Sequence, residues 1–568
     1  MMNIKLPGLD SKKRRAAKKR AEALKRFGIN KEIKGGYDTS AAVRCSNGTY
    51  VGKHRDGVTV WRGIPFAQPP TGKLRWRAPQ PASDGSGVYE AFYNGKSPIQ
   101  TELESERASY YPQGEDCLYL NVWSDMSVKG PKTVMVFFHG GSYGWGGTAD
   151  PMYDGFELVN ANRDVVLVTV GYRTGVLGFV DFSEVPGGED YTDAPQLGLL
   201  DQIEALRWVR RNIHVFGGDA ENVTIFGESA GGGSVSILPM IPAARGLFRR
   251  VIAQSGSVAL TYSKEECLGF TKRFMKAAQV ENMEELLSLS EKELKKVNEK
   301  INDTNNFPER DGGLIPLDAY APYRNGETAG IDILIGTNAN EMNYWIGELG
   351  GIVPYCAGMP VKFENDIPKF SKKDRQRALR FIRERKGRKI WRITEYYNEL
   401  MFRLPAIRQA EAHAENGGKV YMYYWTQPSA IPLRGACHAV ELAYVFGNLD
   451  QTIYTGENIN KELSRLTMAA WVQFAKTGDP STEALGWEPY SVEKHRPTMI
   501  LSAQPHIQYE LLEKQRKQLD PLLDQWPSAS YASISYNVPF VRKSILAGAA
   551  AVALGCGLVH RTLNSKNK

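Results

Sequence analysis

Six cysteines among 568 residues (Cys45, Cys117, Cys267, Cys356, Cys437 and Cys556) are too few and too scattered for a disulfide framework. None forms the paired Cys-x-x-Cys pattern of a structural zinc site. The start, MMNIKLPGLDSKKRRAAKKR, lacks the apolar run that follows the basic residues of a secretory signal, which argues for a cytoplasmic protein. Between Gly35 and about Trp526 there is no internal repeat and no low-complexity break. What remains is a chain with 42% hydrophobic residues, long enough for a large buried core.

A net charge of +8 invites a nucleic-acid reading until it is located along the chain. Residues 1–36 hold 12 Lys and Arg against 3 acids, and residues 525–568 hold 5 basic residues and no acid, so the body between them is net −6. The organisation expected is a basic, disordered or partly helical extension (1–36), a catalytic body (37–526), and a linker with an apolar segment (527–568). The arm reads as solvated, with an anionic surface such as a membrane or RNA as the alternative; no nucleic-acid partner is expected. Residues 544–559 (SILAGAAAVALGCGLV) carry no charge. At ~1.5 Å per residue they span about 24 Å as a helix, short of the roughly 30 Å hydrocarbon core. A membrane contact and an Ala/Gly-rich helix packed on the body are both open, because Ala and Gly add little to insertion.

Within the body, apolar runs such as 133–138, 164–170, 222–226, 331–335 and 420–424 alternate with helical segments such as 194–215. Continuous apolar strands separated by helices are what a parallel sheet buried on both faces requires. The expected fold is α/β, with a mostly parallel central sheet and helices on both faces.

Gly-x-Ser-x-Gly occurs twice, at 140–144 and 227–231. The second copy follows the strand 222–226 and leads into Gly231-Gly232-Gly233-Ser234-Val235, small residues that let a helix approach a sheet. Only this copy has the strand, turn and helix of a nucleophile elbow, which makes Ser229 the candidate nucleophile. The first copy leads into helix breakers. Its run His139-Gly140-Gly141-Ser142 instead suits a loop whose main-chain N–H groups face an oxyanion.

A serine hydroxyl needs a neutral imidazole, itself oriented by a carboxylate, and in such folds the chain order is Ser, acid, His. Of the histidines after Ser229, His413 lies in a helical run, His495 and His506 lie in polar segments and His560 lies in the tail. His438 follows the strand 420–424 in a loop, although position alone leaves a surface or capping role open. Glu341 follows the strand 331–335, whereas Asp332 sits at that strand's opposite end.

The chain resembles the type-B carboxylesterases, the branch of the α/β-hydrolases that includes bacterial para-nitrobenzyl esterases and cholinesterases. The likeness rests on RGIPFAQPP (62–70), EDCLYLNVW (115–123), HGG (139–141), YRTGVLGF (172–179), GLLDQ (198–202), FGGD (216–219), GESAGG (227–232) and QSG (254–256). It implies Ser229 as nucleophile, His438 as general base and then acid, Glu341 as the orienting carboxylate, and the N–H groups of Gly141, Ser142 and Ala230 as oxyanion donors. It also implies support from Glu228 and Ser255, a structural role for Glu115 and Asp116, a small-molecule ester as substrate, and no cofactor or metal. Many secreted members pair the cysteine matching Cys117 with one about twenty residues earlier. Here the matching segment is Gly95-Lys96-Ser97-Pro98, so that bridge cannot form, which suits a reducing compartment or a bacterial origin. No tryptophan lies between Trp76 and Trp123, where cholinesterases carry the one that stacks on choline, so cholinesterase activity is disfavoured. Two rivals stand beside an esterase: an amide, thioester or lactone hydrolase using the same triad, and a non-catalytic cholinesterase-like binding protein.

Overall fold

The computed structural model describes residues 28–100, 112–301, 306–348, 351–457 and 459–525. The expectations for the basic arm before residue 28 and for the apolar segment 544–559 lie outside the described residues.

An eleven-stranded sheet forms the centre. Its strands are β1 (Lys53–Arg55), β2 (Val58–Pro65), β3 (Tyr119–Ser124), β4 (Lys132–Phe138), β5 (Val165–Val170), β6 (Gly218–Glu228), β7 (Arg250–Gln254), β8 (Asp332–Asn338), β9 (Val420–Trp425), β10 (Thr498–Leu501) and β11 (His506–Gln508). Their spatial order is β11-β10-β9-β8-β7-β6-β4-β5-β3-β2-β1. The seven from β10 to β5 pair in parallel, and antiparallel strands close both edges. The antiparallel edge and a separate small sheet of Ala42–Cys45, Gly48–Val51 and Val88–Glu90 escape the apolar-run reading. Several of these strands are only three or four residues long, and the small sheet adds Val88–Glu90 to a hairpin that lies about forty residues earlier in the chain.

Burial on both faces explains the continuous apolar runs. All seven residues of β4 and all six of β5 are buried. Val134, Val136 and Phe138 join one core cluster, with Leu199, Ile203 and Leu206 of helix α1 (Leu197–Asn212). Met135 and Phe137 point the other way into a second cluster with Trp471 and Phe474 of the helix Lys461–Thr477. The two-residue alternation of a strand thus splits one apolar run between two helical layers.

The remaining elements that matter for function are α2 (Ala230–Ile237), which follows β6, and helices inserted between β8 and β9: α3 (Ile352–Asp366), α4 (Lys372–Glu384), α5 (Lys389–Asn398) and α6 (Leu404–Ala414). A π-helical turn, Glu399–Arg403, joins α5 to α6. Helix α7 (Glu513–Leu519) packs against α4 near the end of the described chain.

Candidate active site

Four neighbouring strands deliver the predicted residues to one edge of the sheet. Ser229 follows β6, Ser255 follows β7, Glu341 stands three residues after β8, and His438 lies in the loop after β9. Parallel strands all end on this side, so side chains more than 200 residues apart converge there.

Ser229 sits between β6 and α2 with φ 58° and ψ −119°, a conformation costing about 1–3 kcal/mol for a residue with a side chain. Its N–H donates to Gln254 O (2.8 Å), and its carbonyl accepts from Gly233 N–H (2.8 Å), opening the helix. The flanking glycines are required by contact. A Cβ on Gly231 would lie 1.9 Å from Phe138 O, and one on Gly227 would lie 2.5 Å from the Gly231 carbonyl. The turn sets Ser229 at the N-terminus of α2, where the helix dipole favours negative charge.

The first Gly-x-Ser-x-Gly copy wraps against this turn. A Cβ on Gly140 would lie 2.8 Å from Glu228 O and 3.0 Å from Ser229 Cβ. Gly141, Ser142 and Tyr143 all have positive φ (114°, 51° and 53°), an arrangement that turns main-chain groups away from regular pairing. The loop is anchored from outside the site: Tyr172 Oη donates to His139 O (2.6 Å), the two rings stack with centroids 4.4 Å apart, and Tyr143 Oη meets Ser234 Oγ of α2 at 3.2 Å.

Glu341 Oε2 lies 2.7 Å from His438 Nδ1, and both side chains are buried. The other carboxylate oxygen accepts from Ser255 Oγ (2.7 Å) and from Asn338 N–H (2.7 Å), which fixes the plane of the group. His438 is enclosed by the rings of Tyr344, Trp345 and Phe402, with centroids 5.7, 5.6 and 4.9 Å away. Phe402 is carried on the π-helical turn, a local widening that re-aims one side chain.

The imidazole's second nitrogen, Nε2, lies 3.1 Å from Glu228 Oε1. Burial disfavours a charged ring here, but Glu228 and Glu341 outweigh it and push the His438 pKa up to about 9. Behind Glu341 is a further layer that sequence reasoning missed. Asn338 Nδ2 donates to Cys437 O (2.9 Å) and Glu441 Oε2 (2.6 Å), Gln254 Nε2 donates to Glu441 Oε1 (3.1 Å), and Trp471 Nε1 donates to Gln254 Oε1 (3.1 Å). Glu441 has its pKa raised by burial and by the nearby Glu341. The only sequence signals for Gln254, Asn338 and Glu441 were their places at the ends of β7 and β8 and one helical turn after His438, and Trp471, on the helix Lys461–Thr477, had none.

The competing histidines are elsewhere. His413 is buried on α6 between Thr328 Oγ1 (2.9 Å) and Ile331 O (2.8 Å), at the opposite end of β8. His495 and His506 lie by the β10–β11 edge. Glu115 grips Arg75 through a bidentate pair (2.5 and 2.7 Å), and Asp116 accepts from Tyr119 Oη (2.8 Å). Cys117 is a free, fully buried thiol whose pKa burial pushes well up.

Comparison with known proteins places the chain. The Carboxylesterase family profile matches residues 39–519. The chain is 34% identical to the para-nitrobenzyl esterase of Bacillus subtilis over 509 residues, covering 85% of this chain and 99% of that one. It is 32% identical to human carboxylesterase 3 over 475 residues, covering 75% and 80%. Among solved structures, a Geobacillus stearothermophilus carboxylesterase aligns with a TM-score of 0.73 at 32% identity, covering 84% of this chain and 99% of that one. The chain therefore belongs to the carboxylesterase family and is a carboxylic ester hydrolase of the α/β-hydrolase fold.

Proposed function

We propose that Ser229, His438 and Glu341 are the catalytic triad of this hydrolase, acting on small to medium carboxylic esters. The observation that carries the reading is the 2.7 Å contact of Glu341 with His438 Nδ1 at the same sheet edge as a serine held at φ 58°. A carboxylate on Nδ1 keeps the proton there, so the neutral ring presents the lone pair of Nε2 as base.

In this reading Nε2 takes the Ser229 proton as Oγ attacks the ester carbonyl, and Glu341 stabilises the imidazolium. The oxyanion is met by the main-chain N–H groups of Gly141, Ser142 and Ala230. The imidazolium then protonates the departing alcohol, leaving an acyl-serine. In the second half His438 removes a proton from water, the acyl group leaves as the acid, and Ser229 regains its proton. Loss of one oxyanion donor typically costs ~10²–10³ in turnover. The aromatic wall of Tyr344, Trp345 and Phe402 keeps the imidazole dry and offers apolar surface to an ester.

Release of p-nitrophenol from short and medium p-nitrophenyl esters tests the assignment. Ser229→Ala should lower turnover by at least ~10⁴-fold, and a fluorophosphonate should label the wild type but not the variant. A folded Ser229→Ala protein with near wild-type turnover would remove Ser229 from the mechanism.

A further inference from the structure

The body's net charge of −6 hides a sharp segregation. Residues 372–389 (KKDRQRALRFIRERKGRK) carry ten Lys and Arg against two acids, so this stretch alone is +8 and the rest of the body is −14. The fold displays that stretch as α4 and the turn leading into α5. Lys373, Arg380, Arg383 and Lys389 are exposed there, joined by Lys514 and Lys517 of α7. Together these elements line a concavity of about 1420 Å³ with eight cations and three acids. Each acid is engaged by a neighbour: Glu384 with Arg380 (2.6 Å), Glu364 with Lys389 (3.4 Å) and Glu513 with Lys517 (2.5 Å). Cationic charge is left in excess. Amid it Leu379, a large apolar side chain, is 39% exposed.

The chain leaves the described structure at this same place. Gln525, the last described residue, accepts through Oε1 from Ser371 N–H (3.0 Å) at the N-terminus of α4. The 43 residues beyond it hold five basic residues and no acid, with sixteen uncharged residues (544–559) between Arg542-Lys543 and His560-Arg561. We propose that the α4–α7 face docks this enzyme on an anionic phospholipid surface. A polyanion or an acidic peptide would satisfy the cations alone. A lipid surface also takes up an exposed leucine and an uncharged segment such as 544–559, separated from Gln525 by eighteen residues of chain.

Docking would bring the chemistry close to the lipid. Helix α5 starts at the basic face with Lys389 and Arg392, and its last residue, Asn398, accepts through Oδ1 from Met342 N–H (2.8 Å) beside Glu341. Ten residues of helix, about 15 Å, separate the face from the loop carrying Glu341.

The test is co-sedimentation of the full chain with vesicles of phosphatidylcholine, with and without phosphatidylglycerol, at increasing NaCl. Each surface cation contributes about fivefold to partitioning onto an anionic membrane. The expected result is salt-sensitive binding that requires phosphatidylglycerol. It should fall at least ~10-fold in Lys373→Glu/Arg383→Glu/Lys389→Glu/Lys514→Glu, with p-nitrophenyl acetate hydrolysis unchanged as the check on folding. A milder variant, Arg383→Gln/Lys514→Gln, should lose about fivefold or more and covers the case in which charge reversal prevents folding. Wild-type partitioning in a folded variant overturns the proposal, because the segments outside the body would then carry all binding. Equal binding to neutral vesicles, or binding to an RNA homopolymer but not to anionic vesicles, overturns it as well.

Discussion

Replacing Glu228 by glutamine removes the strongest of the three carboxylate charges, Glu228, Glu341 and Glu441, that hold a proton on His438, while keeping nearly the same side-chain volume. The charge lies 3.1 Å from Nε2. At an effective dielectric of ~20, that separation corresponds to an attraction of about 5 kcal/mol as an upper figure. His438 stands at about 9 against an ordinary 6.5, which is roughly 3.4 kcal/mol in favour of the charged ring. Losing the Glu228 charge therefore cancels most of the rise, and burial, which disfavours charge, is then opposed by Glu341 and the more weakly acting Glu441. Only the neutral ring can accept the serine proton, so the acidic limb of kcat/KM against pH reports this ionisation in the free enzyme. In the wild type the limb should lie near pH 9; in Glu228→Gln it should fall below about pH 7. The alkaline plateau should also drop, by about 10–100-fold, because the imidazolium formed during attack loses the same partner. The assay is p-nitrophenyl ester hydrolysis at subsaturating substrate across pH 5.5 to 10. A limb that stays within about half a pH unit of the wild type would refute the electrostatic account, whatever happens to the plateau.

Other consequences are equally direct. Ser255→Ala removes a hydrogen bond to the Glu341 carboxylate (2.7 Å) and should lower kcat about 10–100-fold with little change in KM, checked by steady-state kinetics. Gly231→Ala places a methyl group 1.9 Å from Phe138 O, so the protein should lose more than ~3 kcal/mol of stability together with its activity, read by denaturant unfolding. Ser229→Gly, also inactive, relieves the strained φ/ψ and should melt above Ser229→Ala. Glu309 has its pKa raised from 4.5 to about 7 by burial and by the neighbouring Asp181. Between those values the native state keeps a proton that the unfolded chain has released. This contribution to stability is therefore complete below about pH 4.5 and is lost as pH rises through about 7. Glu309→Gln should flatten the fall in Tm between pH 5 and 8, measured by calorimetry.

How much of the site could be read from sequence follows from how local each feature is. The elbow is a contiguous device: a strand, two glycines forced by backbone contacts of 1.9 and 2.5 Å, and a small-residue helix all lie within twenty residues. It leaves its whole signature in the chain. His438 and Glu341 were legible more weakly, because each follows a strand and parallel strands bring their ends to one edge. The Glu228–His438 contact, the Asn338–Glu441–Gln254–Trp471 layer and the aromatic wall around the imidazole had no such signature. Each joins side chains from different strands and helices, and no periodicity encodes which of them will touch.

Charge shows the same division. Summed over residues 37–524 the body is mildly acidic, and that sum concealed eighteen residues with a net charge of +8. Their sequence carries the charge, but only the packing of α4 against α7 gathers it into one concavity beside the point where the chain departs. By itself the sequence determined the α/β alternation, the strained serine turn and the chain order of the three candidate catalytic residues. These depend on local sterics and on strand polarity. The tertiary structure decided the proton affinity of His438, the bracing of Glu341 and the position of the basic face. Those depend on distances of a few ångströms between residues far apart in the chain, and on a buried environment that exists only after folding.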